Sequence, residues 1–193
     1  MPVYGFIVEG HLESDVIKHL CKNAEVRRLR LNGRDVSIEK ICTIIYPHIV
    51  FLLRKVDTIY IIVDREQRAI DSKAMEKEVI EGVGRKGIDV ERIVVSVPDR
   101  CIESWIAPFV DDKCILQRRP CRERGEGVSG KNELRAIFKR NERNYVEVID
   151  GVRYFKAIIP AELAKVSDSF SRLYEKIADG CWWKSRSFQE GVI

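Results

Sequence analysis

The sequence predicts an α/β fold: a central parallel sheet of about four strands flanked by helices, followed by a mainly helical C-terminal extension. Three observations predict it. Residues 58–63 (TIYIIV) and 92–97 (RIVVSV) are nearly uninterrupted apolar runs, the mark of strands buried on both faces of a sheet. A third short apolar run, residues 3–8, ends at the turn Glu9-Gly10. Between these runs the apolar residues repeat at helical spacing, and strands that alternate with helices imply right-handed crossovers and a parallel sheet.

Each element follows in order. After the first strand, Leu12, Val16, Ile17 and Leu20 recur at helical spacing, and Asn32-Gly33 marks a turn after residues 26–31. A helical period covers residues 38–53, where Pro47 is expected to kink or divide the helix. A polar helix over 71–85 joins the two strongest strands. Beyond them, residues 102–110 read as a short helix, 111–129 as a polar segment and 132–140 as a helix. Residues 145–155 read as a hairpin turning at Asp150-Gly151. Residues 160–178 read as one or two helices, with Ser167 or Asp168 as N-cap. The expected division is a core over 1–110 and, over 111–193, a basic loop and helical extension packed on it.

A chain of 193 residues can bury a core of its own without disulfides. Its composition, 45% hydrophobic and 33% charged, is that of a soluble domain. No apolar run approaches the ~18 residues of a membrane span, and the chain starts in a strand rather than a basic leader. The expectation is therefore a cytoplasmic protein. The six cysteines form no CxxC pair and have no zinc-finger spacing, so they read mainly as small buried residues. A cytosolic disulfide would be expected only in a hyperthermophile.

The net charge of +4 decides little, but its distribution is uneven. Residues 118–143 carry nine basic side chains against four acidic ones. Arg118, Arg119, Arg122, Arg124, Lys131 and Arg135 are the candidates there for holding a nucleic-acid backbone, and a solvated surface is the alternative.

Open parallel sheets bind ligands beyond the carboxyl ends of their strands. Glu9, Asp64 and Asp99 all lie at or just past such ends. Glu13 and Glu103 follow Glu9 and Asp99 by four residues, one helical turn, and Glu66 follows Asp64 by two. Crowded carboxylates repel one another unless a cation intervenes. Their hard oxygens suit Mg²⁺ or Mn²⁺, and no His/Cys cluster competes. Lys131, after Ser129-Gly130, is a candidate for neutralising a phosphate. Trp105 could stack a base but reads more readily as core; Trp182 and Trp183 read as packing or a partner surface. His11 reads as structural or exposed.

The segment Phe6-Ile7-Val8-Glu9-Gly10-His11-Leu12-Glu13, followed by Ile61-Ile62-Val63-Asp64-Arg65-Glu66, resembles the TOPRIM domain of topoisomerases, bacterial primases and several nucleases. Glu13 matches an acid typical of the overcoming-lysogenisation-defect nucleases. Cys101-Ile102-Glu103-Ser104-Trp105 is similar to a Glu-x-Trp segment of small stand-alone TOPRIM-like proteins often assigned to defence or mobile elements. One departure is Glu66, which stands where the pattern has a second aspartate. No topoisomerase tyrosine context or primase zinc module accompanies the motif. The resemblance implies a metal-dependent nuclease acting on DNA or RNA. One or two ions would lie between Glu9, Asp64 and Glu66, with Glu13 and Glu103 able to hold a second. Glu9 would be general base or metal ligand. The alternative is a catalytically weak nucleic-acid-binding or regulatory module that acts with a protein partner. A receiver-like domain also uses an acidic Mg²⁺ pocket, but needs two adjacent acids after its first strand, which Glu9-Gly10-His11 does not supply.

Overall fold

The computed structural model describes residues 4–21, 23–29, 31, 36–110, 120, 127, 129–177 and 181. Strands β1 (Tyr4–Val8), β2 (Ala24–Arg28), β3 (Thr58–Ile62) and β4 (Ile93–Ser96) form one sheet in the order β2-β1-β3-β4. Every neighbouring pair is parallel, with Val8 opposite both Arg28 and Ile62, and Ile62 opposite Ser96. All four carboxyl ends thus share one edge. Helix α1 (His11–Leu20) leads from β1 out to β2; α2 (Ile38–Leu52) brings the chain back across to β3, and α3 (Ser72–Gly84) leads on to β4. Connection direction reverses between β1 and β3, which opens a crevice outside their ends.

Alternation along the strands divides the core into two layers. Ile7, Ile59, Ile61, Ile93 and Val95 face α2 and α3, where Ile41, Ile45, Ile49, Met75 and Val79 meet them. Phe6, Val8, Tyr60 and Ile62 face α1 and the later helices, among them Trp105, Phe138, Phe155 and Phe170. Burying each such side chain contributes about 1.5–3 kcal/mol before entropy is counted. This double burial explains why the strands read as continuous apolar runs.

After β4 come α4 (Glu103–Ile106), α5 (Gly130–Arg140), a π-helical turn (Glu147–Gly151), α6 (Val152–Ala157), α7 (Pro160–Val166) and α8 (Asp168–Lys176). Polar ties and a disulfide fasten them to the sheet and its helices. Tyr60 Oη donates to the Lys176 carbonyl at 3.2 Å. Arg172 grips Glu76 of α3 through two hydrogen bonds of 2.8 and 2.9 Å. Cys21, after α1, is disulfide-bonded to Cys181, while Cys42 and Cys101 are buried free thiols. Cys114 and Cys121 lie outside the described residues. Among the described residues, no helix is long and apolar enough to cross a membrane.

The structure corrects the sequence reading in three places. Residues 24–28 form a strand, β2, not recognised as one because its residues are only half-buried at the sheet edge. Helix α2 runs through Pro47 undivided. Pro47 and Thr43 are both exposed, so the carbonyl that loses its partner lies on the solvent side. Residues 145–155 are a helical turn and helix rather than a hairpin. Asp150 closes that turn twice, its backbone N–H donating to the Val146 carbonyl at 2.7 Å and its side chain accepting from Val146 N at 2.8 Å. Val152, Phe155 and Ile158 then recur at helical spacing and are buried. Ser167, one of the two candidate caps, does cap α8, accepting from Phe170 N at 3.3 Å.

Candidate functional site

A cleft of about 780 Å³ opens over the carboxyl ends of β1 and β3. Its walls bring together the five predicted carboxylates, Glu9, Glu13, Asp64, Glu66 and Glu103, with Lys131 and Arg135.

Glu9 follows β1 directly, and its Oε2 accepts from Asp64 N at 3.1 Å, bracing the two central strand ends together. Glu13 sits in the first turn of α1 and folds back to accept from the backbone N–H groups of Gly10 and of Glu13 itself. This is the acidic half of a capping box. A Cβ on Gly10 would lie 2.5 Å from Glu13 Oε2, so this glycine makes room for the returning carboxylate. Its φ of −111° is open to any residue, so space rather than backbone freedom selects glycine here.

Asp64 is buried, and its Oδ1 has no hydrogen-bond partner among the described residues. The loop after it is held by Arg68, whose guanidinium donates to the carbonyls of Asp64 at 3.0 Å, Arg65 at 2.9 Å and Val36 at 3.0 Å. Glu66 and Arg100 both adopt left-handed backbone, at φ 56° and 66°, and Glu66 N donates to the Arg100 carbonyl at 2.8 Å. Such non-glycine geometry costs on the order of 1 kcal/mol or more and clusters at functional sites. Both residues line the cleft, and Arg100 Nε is buried without a partner among the described residues.

Glu103 opens α4 and is 4% exposed. A Cβ on Gly130 would lie 2.2 Å from Ser104 N and 2.3 Å from the Glu103 carbonyl carbon, so α5 can start against the α4 backbone only as glycine. That contact carries Lys131 to the cleft, where it pairs with Glu147. Arg135 Nη2 lies 3.7 Å from the same Glu147 oxygen.

Three of these carboxylates, Glu13, Asp64 and Glu103, have raised pKa values. Burial pushes Glu13 up to about 7, with repulsion from Glu103 and Glu9 adding to it. Burial also lifts Asp64 well above the usual carboxylate range, reinforced by Glu13, Glu9, Glu103 and Glu66. Glu103 is raised by burial and partly relieved by Lys131. Burial works against the charge on Lys131, but the hydrogen bond to Glu147 and the attraction of Glu103 and Glu147 outweigh it and raise its pKa. A divalent cation would relieve this accumulation. The orphaned Asp64 oxygen and the all-oxygen donor set fit Mg²⁺ or Mn²⁺. Among the described residues, however, no three His, Cys, Asp or Glu side chains are arranged to hold a metal ion as they stand.

Asp99 does not line the cleft: it pairs with Arg65 and accepts from Gly127 N. Trp105 is fully buried between Phe155 and Phe170, and its Nε1 donates to Ser169 Oγ at 2.9 Å, so it is core. His11 is exposed against Arg28. Arg118, Arg119, Arg122, Arg124, Trp182 and Trp183 lie outside the described residues.

Three charged residues of the cleft escaped the sequence reading: Arg28, Arg100 and Glu147. Finding Arg28 required recognising β2. Arg100 followed the marked strand end Pro98-Asp99 and could have been included on that ground. Glu147 carries no local signal at all.

Comparison with protein-family models, with curated proteins and with solved structures found no match to this chain. The fold and site define a class: a parallel α/β domain with an acidic cleft at its topological switch point.

Proposed function

We propose that this cleft is the active site of a TOPRIM-like, metal-dependent nuclease acting on a DNA or RNA backbone. One observation carries the reading: a buried Asp64 oxygen with no hydrogen-bond partner among the described residues, in a cleft whose four further carboxylates all raise the Asp64 pKa. Asp64, Glu9 and Glu66 would hold Mg²⁺ or Mn²⁺, with Glu13 and Glu103 available for a second ion. A bound ion would supply positive charge at the phosphate and help ionise the attacking water. Glu9 is the candidate base. Lys131, Arg135 and Arg100 are cations suited to orienting the phosphodiester. We place this chemistry in the cytoplasm, where the Cys21–Cys181 bond would meet a reducing environment; both cysteines are buried, which limits access to reductant.

The test is a panel of single- and double-stranded DNA and RNA with each metal, comparing wild type, Glu9→Gln and Lys131→Ala. Cleavage should require the ion and disappear in Glu9→Gln, which keeps the shape but loses charge and basicity. Activity surviving in purified Glu9→Gln would overturn the assignment.

A second reading, a nucleic-acid-binding module acting with a protein partner, is favoured by the absence of a ready ligand set among the described residues. Nucleic-acid binding with no cleavage across the panel would select it.

A further inference from the structure

We propose that Lys131 and Arg135 form the subsite for a backbone phosphate of the nucleic acid, and that in the free protein Glu147 occupies it as a built-in substitute for that phosphate. The proposal rests on the nucleic-acid reading of the cleft and deepens it. Glu147 Oε1 is shared by Lys131 Nζ and Arg135 Nη2, one turn apart on α5. A carboxylate oxygen between a lysine and an arginine reproduces the charge-assisted contacts that hold phosphate. The position is suited to a substrate: all three residues line the cleft, and Lys131 and Glu147 are both felt by the buried Glu103.

The segment bearing Glu147 is built to release it. Val146, Val148 and Ile149 around it are exposed, Ile149 at 69%, so moving this stretch uncovers little apolar surface. Its root is firm: Asp150 is buried, accepts from Val146 N and pairs with Arg143 at 3.6 Å. A Cβ on Gly151 would strike Leu12 Cδ1 at 2.7 Å, so the base of the turn is seated on α1. A phosphate entering the subsite therefore has to displace one side chain from a π-helical turn, a geometry frequent at functional sites.

The test measures binding of a labelled single-stranded oligonucleotide, with Ca²⁺ present and the strand checked for integrity, by wild type, Glu147→Gln, Glu147→Asp, Lys131→Ala and the Lys131→Ala/Glu147→Gln double variant. Glu147→Gln should bind about tenfold more tightly than wild type, a change of about 1.4 kcal/mol. Glu147→Asp, which reaches less far, should gain less, and it carries the test should Glu147→Gln melt abnormally. The gain should shrink in the Lys131→Ala background, where Arg135 alone is left in the subsite, which separates occupancy of the subsite from general loss of negative charge. Equal or weaker binding by Glu147→Gln overturns the proposal, as does a gain that persists undiminished without Lys131. If inorganic phosphate alone binds better to the variant and the oligonucleotide does not, the subsite takes a free anion and the backbone assignment fails. Because no cleavage is read, a wild type inert as a nuclease leaves this result standing, and an active wild type does not rescue it.

Discussion

Asp64 and Asp99 present the same signal in the sequence and do opposite work in the fold. Each follows an apolar strand of the same parallel sheet, at the same carboxyl edge. Asp64 turns into the cleft with one oxygen unsatisfied among like charges. Asp99 is neutralised by Arg65 and accepts the Gly127 N–H, so it fastens loops together. An acid at a strand end therefore announces a position, and the nearest cation settles its role. Arg65 belongs to the Asp64 loop itself, so the loop that presents one acid pins down the other.

The largest effect that would break this comparison is on cleavage. Asp64→Asn should reduce the proposed nuclease activity on the order of a thousandfold or more, as loss of a central charged group does elsewhere. It should leave the unfolding free energy the same or higher, since the amide removes a buried, repelled charge. Asp99→Asn should retain most activity. Equal activity losses in the two variants, measured alongside denaturation, would erase the distinction.

A second effect concerns pH. Glu13 titrates near its ordinary 4.5 when unfolded and about 7 when folded, so between these values the native protein binds more protons than the unfolded chain. Metal-free stability should therefore fall as pH rises from about 4.5 to 7 and level off above, Glu13 alone accounting for up to about 3 kcal/mol. Denaturant melts across this range check the sign, and Glu13→Gln should flatten the curve. Stability that instead climbs across the window would mean the acids are satisfied in the fold.

Asp99→Asn supplies the third effect, a loss of about 2 kcal/mol on denaturation, because it leaves a largely buried arginine without its counter-charge. An unchanged midpoint would show that the Asp99–Arg65 pair adds nothing measurable to stability.

The smallest effect sharpens the account of Glu13. Gly10→Ala places a methyl group where the Glu13 carboxylate rests. The side chain can swing away, so the expected cost is within about 1 kcal/mol, the scale of a lost capping contact. The readout is a downward shift of the Glu13 titration followed by NMR, and an unmoved titration would show that Gly10 is not what seats the carboxylate.

Much of this site was legible before folding was considered. Glu9, Glu13, Asp64, Glu66 and Glu103 could be named from strand ends and helical spacing, because parallel strands put their carboxyl ends on one edge. Lys131 could be named as a candidate but not its placement, which depends on Gly130 lying against the α4 backbone. The helical turn at Asp150-Gly151 looked like a hairpin because Asp-Gly favours tight turns, and the competing side-chain bond from Asp150 to Val146 N outweighs that preference.

By itself the sequence determined three of the four strands, the helices beside them and the edge at which the acids gather. Those features follow from apolar periodicity, a local property that survives any rearrangement of neighbours. Only the tertiary structure decided that the half-buried residues 24–28 complete the sheet, that Asp99 is paired while one Asp64 oxygen has no partner among the described residues, and that Glu147 reaches Lys131 and Arg135. Each of those outcomes depends on a contact between residues distant in the chain, where desolvation and the position of one cation outweigh anything the local pattern encodes.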